Sequence, residues 1–210
     1  MKAVRFFAVL LLLGLMGCGG GDSGGSAPAD FGGNHPNVVV ALGDSITAGV
    51  EGGGAPWPAR LASLSGKTLI NAGIGGQESG DGLARIGGAL AAYKPGYIII
   101  DFGANDAIML RDTDNTLANI RAMVGMAKAH KTVPILATLL PMIGEHGIYD
   151  STAQRISAGI SAIGKSEGVT VVDLKTEFTD PENQLISDGL HPSDLGNQII
   201  ALALNDALPH

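Results

Sequence analysis

Short apolar segments alternate with longer segments of helical character along most of this 210-residue chain. Parallel strands need a crossover connection, so this alternation predicts right-handed βαβ units with helices on both faces of one sheet. We therefore predict an α/β fold, a three-layer α/β/α sandwich around a five-stranded parallel sheet of flavodoxin-like order. The predicted strands are 38–42, 68–71, 97–102, 133–138 and 169–172, and the predicted helices are 55–64, 80–93, 113–130, 152–167 and 193–208.

A polar motif, Gly43-Asp44-Ser45-Ile46-Thr47, directly follows the first predicted strand. A serine hydroxyl becomes a useful nucleophile when a base takes its proton and a third group orients that base. Asp188 and His191, near the other end of the chain, are of the right types for these two roles. Their spacing of three residues lets one turn place the carboxylate against one ring nitrogen, so that the other nitrogen is free to face Ser45.

Two further polar segments follow the second and third predicted strands. These are Asn71-Ala72-Gly73-Ile74-Gly75-Gly76 and Gly103-Ala104-Asn105-Asp106. Both would lie at the carboxyl edge of the sheet, where open parallel sheets bind ligands, and both offer hydrogen-bond donors suited to an oxyanion. Each segment alone is equally typical of a turn or a helix cap. Their joint order, with a nucleophile and its base, favours a catalytic site.

With all four segments in this order, the chain resembles the SGNH hydrolases, also called the GDSL esterase and lipase family. The resemblance runs from about residue 37 to the C-terminus and is nearest the arylesterase, lysophospholipase and thioesterase branch. It implies that Ser45 is the nucleophile and, through its backbone N–H, the first oxyanion donor. Gly76 and Asn105 would complete the oxyanion hole. Asp188 and His191 would complete the catalytic triad.

The resemblance implies a serine esterase that cleaves oxygen esters or thioesters through an acyl-enzyme on Ser45. A carbohydrate O-acetylesterase of the same family would use the same residues, and an acyltransferase would pass the acyl group to an alcohol instead of water. A catalytically silent binding lipoprotein is an alternative from another class.

We predict no metal site and no cofactor, since there is one cysteine and no His-Glu-x-x-His motif. A dinucleotide fingerprint beginning at Gly73 fails at Glu78.

Two other groups of residues near the predicted site have open interpretations. His146 follows the fourth predicted strand and would face the same edge, as a substrate contact or as an ordinary solvated histidine. A set of apolar residues could line an acyl pocket, but the usual burial of such side chains favours the core. The set is Met109, Leu110, Leu139, Leu140, Met142 and Ile143.

The N-terminal segment has the features of an export signal. Lys2 and Arg5 precede an apolar stretch, 6–16, that is too short to span a bilayer and is followed by small residues. Leu15-Met16-Gly17-Cys18 resembles the lipobox of bacterial lipoproteins. We therefore predict a lipoprotein signal peptide over residues 1–17, with an ordinary secretory signal as the alternative. Both interpretations export the protein.

Cys18 is the only cysteine of the chain, and lipid attachment would account for it. The next segment, 18–36, is rich in Gly, Ser, Ala and Pro, which predicts a flexible tether. The hydrolase domain would then occupy 37–210. These features predict a periplasmic or outer-membrane-anchored bacterial lipoprotein that meets the membrane through Cys18 and acts on a small-molecule or lipid ester. A net charge of −7 argues against a nucleic-acid partner, and no feature indicates an oligomeric state.

Overall fold

A five-stranded parallel sheet with strand order β2-β1-β3-β4-β5 forms the centre of the protein. The computed structural model describes residues 29–209. The strands are β1 His35–Gly43, β2 Thr68–Gly73, β3 Pro95–Asp101, β4 Val133–Ala137 and β5 Thr170–Val172. The predicted flavodoxin-like sheet is therefore confirmed, and each strand overlaps the apolar segment that predicted it.

Helices cover both faces of the sheet. α2 and α9 pack together on one face, and α3, α5 and α6 pack side by side on the other. The five longer helices coincide with the five predicted helices, and short helices occupy the loops at the carboxyl edge of the sheet. The helices are α1 Ser45–Ala48, α2 Trp57–Ser65, α3 Ser79–Tyr93, α4 Ala104–Ile108, α5 Thr113–Ala129, α6 Asp150–Glu167, α7 Leu174–Glu177, α8 Pro181–Gln184 and α9 Asp194–Ala207, with a 3₁₀ helix at Gly144–Tyr149.

The central residues of the inner strands are apolar because both faces of these strands are covered. In β1, Val39, Val40, Ala41 and Leu42 are fully buried, and every residue of β3 is buried. Their β-branched side chains favour extended backbone and form the part of the core that lies between the two helical layers. The site that follows β1 and β3 therefore rests on two strands that are buried at their carboxyl ends.

Gly43, the last residue of β1, allows the chain to turn back over the end of the sheet. A Cβ atom at this position would lie 2.1 Å from Oγ1 of Thr47 and 2.7 Å from the carbonyl oxygen of Asp101. Only glycine leaves room for α1 to approach β3 so closely. Ser45, the first residue of α1, is thereby held directly above the junction of β1 and β3.

The domain begins slightly earlier than predicted. β1 starts at His35, and Phe31 packs edge-on against Tyr97 with ring centroids 5.3 Å apart. The carboxylate of Asp30 also pairs with Lys131 at 2.7 Å. Residues 30–36 of the predicted tether therefore lie against the folded domain, because this segment carries an aromatic anchor and a charge partner.

The other predictions for the N-terminus fall outside the described residues. These are the signal peptide over 1–17, the lipidated Cys18 and the remainder of the tether. Within residues 29–209, no helix has the length and apolar character needed to cross a membrane.

The predicted core assignment is right for only part of the apolar set near the site. Leu139, Leu140 and Met142 are buried, as expected for core residues. Met109 and Leu110, in contrast, are 57% and 71% exposed, so the core interpretation is wrong for them. They follow α4 at the carboxyl edge of the sheet, where no element within residues 29–209 covers them. This edge consequently presents apolar side chains to solvent.

Candidate active site

The residues predicted to form the site meet in one cleft at the carboxyl edge of the sheet. The strand order reverses between β1 and β3, and Ser45 and Asn105 follow these two strands. Such a reversal opens a crevice in which ligands bind. The cleft has a volume of about 530 Å³ and is lined by Ser45, Val50, Glu51, Gly75, Gly76, Asn105, Ile108, His146, Asp188, Leu190 and His191.

A continuous hydrogen-bond relay joins Ser45, His191 and Asp188. Oγ of Ser45 lies 2.9 Å from Nε2 of His191, and Nδ1 of His191 lies 2.5 Å from Oδ2 of Asp188. An ionised carboxylate can only accept hydrogen bonds, so Nδ1 carries the proton in this pair. The lone pair of Nε2 is then directed at the serine hydroxyl, which is the arrangement that general-base activation requires.

Asp188 is held in place by the backbone that follows it. Its Oδ1 accepts the N–H groups of Leu190 at 2.9 Å and of His191 at 3.0 Å. Burial alone would raise the pKa of Asp188, but the hydrogen bonds from His191 and from these N–H groups outweigh it, so the pKa lies below its ordinary value. Asp188 is therefore ionised at neutral pH and able to orient the imidazole.

The residue before the nucleophile, Asp44, caps the helix that carries it. Its Oδ1 accepts the backbone N–H of Ile46 at 2.9 Å. Burial, and next the neighbouring carboxyl of Asp101, raise the pKa of Asp44 well above its ordinary value. The capping interpretation of this motif thus holds for Asp44, while the same turn presents Ser45 to the cleft. Two adjacent residues therefore cap the helix, through Asp44, and present the hydroxyl to the cleft, through Ser45.

Asp101, the last residue of β3, anchors α1 from below. The hydroxyl of Thr47 donates to Oδ2 of Asp101 at 2.8 Å. Burial raises the pKa of Asp101 to about 6, and the hydroxyl of Thr47 acts in the opposite direction by favouring the charged form. α1 is therefore bound to β3 through Asp101, a buried carboxyl group whose burial disfavours its charged form.

Replacing Asp101 with asparagine is expected to raise stability above about pH 6. The folded state keeps the Asp101 proton to a higher pH than the unfolded chain, so this residue stabilises the fold below about pH 4 and loses that contribution as the pH rises through about 6. Asparagine keeps an oxygen for Thr47 and removes the charge, which should stabilise the fold at about pH 8 by roughly 1–3 kcal/mol.

Thermal unfolding between about pH 4 and pH 8 measures this effect. Asp114→Asn, at an exposed position of α5, is the matched control for loss of a carboxylate and should not raise the melting temperature at pH 8. A melting temperature at pH 8 that does not rise in Asp101→Asn would show that the buried charge is not destabilising.

The glycine-rich loop that was predicted to supply an oxyanion donor lies beside the serine. A Cβ atom on Gly75 would lie 3.8 Å from Cβ of Ser45, so this glycine-rich loop passes beside the nucleophile. Gly76 has φ of +76°, and a Cβ atom there would meet nothing within 4 Å. Among the backbone hydrogen bonds of residues 29–209, none uses the N–H of Gly76. This N–H is therefore available to a bound oxygen.

The side chain of Asn105 is held by two acceptors near the glycine loop. Its Nδ2 donates to the carbonyl oxygen of Gln77 at 2.9 Å and lies 3.4 Å from Oδ2 of Asp44. These contacts orient the amide beside the cleft that Ser45 and Gly76 also line. The roles of Gly76 and Asn105 as oxyanion donors stay predictions.

His146 lies where the sequence placed it, on the wall of the cleft. Its Nδ1 is 2.7 Å from the carbonyl oxygen of Asp188, which can only accept, so Nδ1 carries a proton. The ring also packs near Tyr149 with centroids 6.5 Å apart. A role in contacting substrate stays a prediction.

Two residues of the site were not predicted from the sequence. Arg85 donates from Nε to the side-chain oxygen of Gln77 at 2.6 Å and from Nη2 to the carbonyl oxygen of Gly43 at 2.8 Å, so it clamps the glycine loop to the end of β1. Glu51 places Oε2 3.7 Å from Nδ1 of His191. Neither belongs to a motif, and no spacing in the sequence sets them apart.

Glu51, Asp188 and His191 also bring three ligand-type atoms within 4.8 Å of one another. The hydrogen bond between Asp188 and His191 already uses an atom from each of these two residues. Asp188 and His191 therefore belong to the relay, and Glu51 lies beside it.

This chain is similar to known proteins of one family. Residues 41–199 match the GDSL-like lipase/acylhydrolase family. The thioesterase 1/protease 1/lysophospholipase L1 of Escherichia coli is 31% identical over 169 residues, which cover 79% of this chain and 80% of that protein. A lipoprotein of Bacillus subtilis, YqeF, is 30% identical over 128 residues, 53% of each chain. The structure of a G-D-S-L family protein from Desulfitobacterium hafniense superposes with a TM-score of 0.74 at 30% identity and covers 82% of this chain and 99% of that one.

Proposed function

This chain belongs to the GDSL-like lipase/acylhydrolase family and is an ester hydrolase, and from that premise we propose that it cleaves acyl esters through a covalent intermediate on Ser45. The observation that carries the proposal is the relay from Ser45 through His191 to Asp188, with distances of 2.9 and 2.5 Å. A serine in this arrangement loses its proton as it attacks a carbonyl carbon. The match of residues 41–199 to this family confirms the family resemblance inferred from the four sequence segments.

The proposed reaction has two halves. Oγ of Ser45 attacks the acyl carbon while Nε2 of His191 takes the hydroxyl proton, and the carbonyl oxygen becomes an oxyanion. The backbone N–H groups of Ser45 and Gly76 and the amide of Asn105 stabilise that charge. His191 then gives its proton to the departing oxygen or sulfur. Water attacks the acyl-enzyme with His191 again as base, which releases the acid and restores the serine.

The surface around the cleft supports a proposal about the substrate class. Val50, Ile108 and Leu190 line it, and the exposed Met109 and Leu110 directly follow Ile108 in the chain. Exposed apolar patches near a polar site favour binding of an apolar group. We propose that an acyl chain or aryl group lies here, which places the activity among lysophospholipase, arylesterase or thioesterase reactions and disfavours a sugar acetate.

Hydrolysis of p-nitrophenyl esters from acetate to palmitate tests this proposal, with Ser45→Ala as the control. Serine-dependent turnover that is fastest at medium or long acyl chains supports the proposed substrate class. Turnover confined to acetate would instead indicate a carbohydrate O-acetylesterase. No serine-dependent turnover of any of these esters would contradict the proposed activity and favour a binding protein.

We also propose that the protein is exported and tethered to a membrane by lipid on Cys18. The support is the lipobox-like sequence ending at this single cysteine and the partial similarity to a B. subtilis lipoprotein. Two or more acyl chains hold a protein on a bilayer without a spanning helix. Cys18→Ala is expected to move most of the protein from the membrane fraction to the soluble fraction of a bacterial host and to abolish palmitate labelling. Unchanged fractionation would contradict the anchor.

A further inference from the structure

Glu51 has an unusual backbone conformation at the rim of the cleft. Its φ is +64°, in the left-handed region that non-glycine residues rarely adopt. Such a conformation is energetically unfavourable and persists where the surroundings impose it. A strained backbone at a residue that lines the cleft indicates that the position of this residue serves the site as well as connecting α1 to α2.

The loop that carries Glu51 is fixed to the segment that carries His191. The N–H of Gly53 donates to the carbonyl oxygen of Pro192 at 3.0 Å, and Nδ2 of Asn197 donates to the carbonyl oxygen of Gly53 at 3.0 Å. A Cβ atom on Gly53 would lie 2.7 Å from the backbone nitrogen of Asp194. These contacts hold the backbone of the Glu51 loop in a defined position relative to the catalytic histidine.

The charge of Glu51 is not used by the proposed reaction. Its Oε2 lies 3.7 Å from Nδ1 of His191, too far for a hydrogen bond, and that nitrogen already donates to Asp188. The side chain is 71% exposed and open to a ligand in the cleft. It therefore offers a negative charge beside the histidine without taking part in the relay.

The cleft contains no positive side chain to balance this charge. Its titratable residues are Glu51, Asp188, His146 and His191, and none of the described lining residues is lysine or arginine. Nearby arginines are engaged elsewhere. Arg60 pairs with Asp194, Arg85 binds Gln77 and Gly43, and Arg111 pairs with Glu78. A substrate thus meets a negative local field.

We propose that Glu51 is a specificity-determining residue that selects esters by the charge of their leaving group. In the proposed function, on which this inference rests, Nε2 of His191 protonates the leaving atom, so the leaving group departs past the histidine. Glu51 stands beside the same ring. A cationic leaving group such as an amino alcohol is attracted to it, and a leaving group of net negative charge is repelled.

The expected selectivity is modest because the carboxylate is exposed. Charge pairs at exposed positions change affinity by about two- to fivefold, and salt screens them. The discrimination should therefore diminish at about 0.5 M salt, where the screening length is only a few ångströms. This salt dependence separates a charge effect from a steric one without any substitution.

Three esters that share one acyl group test the inference. They are the choline ester, its neutral 3,3-dimethylbutyl isostere and the anionic 3-sulfopropyl ester, each carrying the acyl group that the wild-type chain hydrolyses fastest as a p-nitrophenyl ester. The full chain in neutral detergent is assayed by titration of released acid. For wild type, we expect kcat/KM to fall from the choline to the neutral to the sulfopropyl ester, by about two- to fivefold at each step.

Glu51→Gln should bring the three kcat/KM values together, and Glu51→Lys should reverse their order. Glu182→Gln, at an exposed position on α8, is the matched control and should keep the wild-type ratios. Equal kcat/KM values for all three esters in the wild type, or ratios that neither salt nor Glu51→Gln alters, would overturn the inference while leaving the proposed function intact. Absence of Ser45-dependent hydrolysis of every ester would instead contradict the proposed function itself.

Discussion

Replacing Ser45 with alanine is expected to lower kcat on a p-nitrophenyl ester by about 10⁴-fold or more. The substitution removes the atom that forms the acyl-enzyme, so neither half of the proposed reaction can proceed through it. The fold should be preserved, because alanine suits the first position of a helix and the Ser45 hydroxyl contacts only the His191 ring among its hydrogen-bond partners in the described structure. The measurement is steady-state hydrolysis, with thermal unfolding alongside.

Ser63→Ala is the matched control for this substitution. Ser63 is an exposed serine of α2 whose hydroxyl donates to the carbonyl oxygen of Ala59, far from the cleft. Its variant should retain the wild-type rate and melting temperature within error. A Ser45→Ala variant that folds normally and keeps about a tenth or more of the wild-type activity would show that another group is the nucleophile.

Asp188→Asn is expected to lower kcat by about 10³- to 10⁴-fold, because it would impose the wrong histidine tautomer. In the native site, Oδ1 of Asp188 accepts two backbone N–H groups, those of Leu190 and His191. An asparagine must keep its carbonyl oxygen at this position to satisfy them. Its NH₂ group then faces Nδ1 of His191 and donates to it. The ring proton moves to Nε2, which can no longer accept the proton of Ser45.

This argument predicts an order among variants. Asp188→Ala leaves the ring free to choose its tautomer, so it should retain at least as much activity as Asp188→Asn. The downfield proton NMR signal of the His191 Nδ1–H should be present in wild type and absent in Asp188→Asn. Asp206→Asn, at an exposed position of α9, serves as the control. An Asp188→Asn variant with near-wild-type activity would contradict the orienting role of Asp188.

The parts of the site that were predictable from sequence are those encoded locally. Asp188 and His191 lie three residues apart, and their contact is formed within one loop whose backbone N–H groups also hold the carboxylate. Ser45 directly follows a buried strand, so its place at the carboxyl edge follows from the strand's direction. The alternation of apolar and amphipathic segments likewise predicted a helical layer on each side of the sheet, since each parallel strand needs both faces covered.

The parts that escaped prediction depend on contacts between distant segments. Arg85 reaches the end of β1 from α3, and Glu51 reaches His191 because its loop binds the start of α9. Such contacts follow from the packing of the finished fold and leave no periodicity or spacing in the sequence. Met109 and Leu110 were assigned to the core by residue type, but they lie at an uncovered edge, where apolar exposure suits substrate binding.

Covalent labelling of the full chain with diethyl p-nitrophenyl phosphate tests the central claim most directly. Attack by an activated serine expels p-nitrophenolate and leaves a stable diethylphosphoryl group on its oxygen. We predict one such group per chain, located by peptide mass spectrometry on Ser45, with esterase activity lost in proportion to labelling and no label in Ser45→Ala. Labelling at another residue, or loss of activity while Ser45 stays unmodified, would contradict the account.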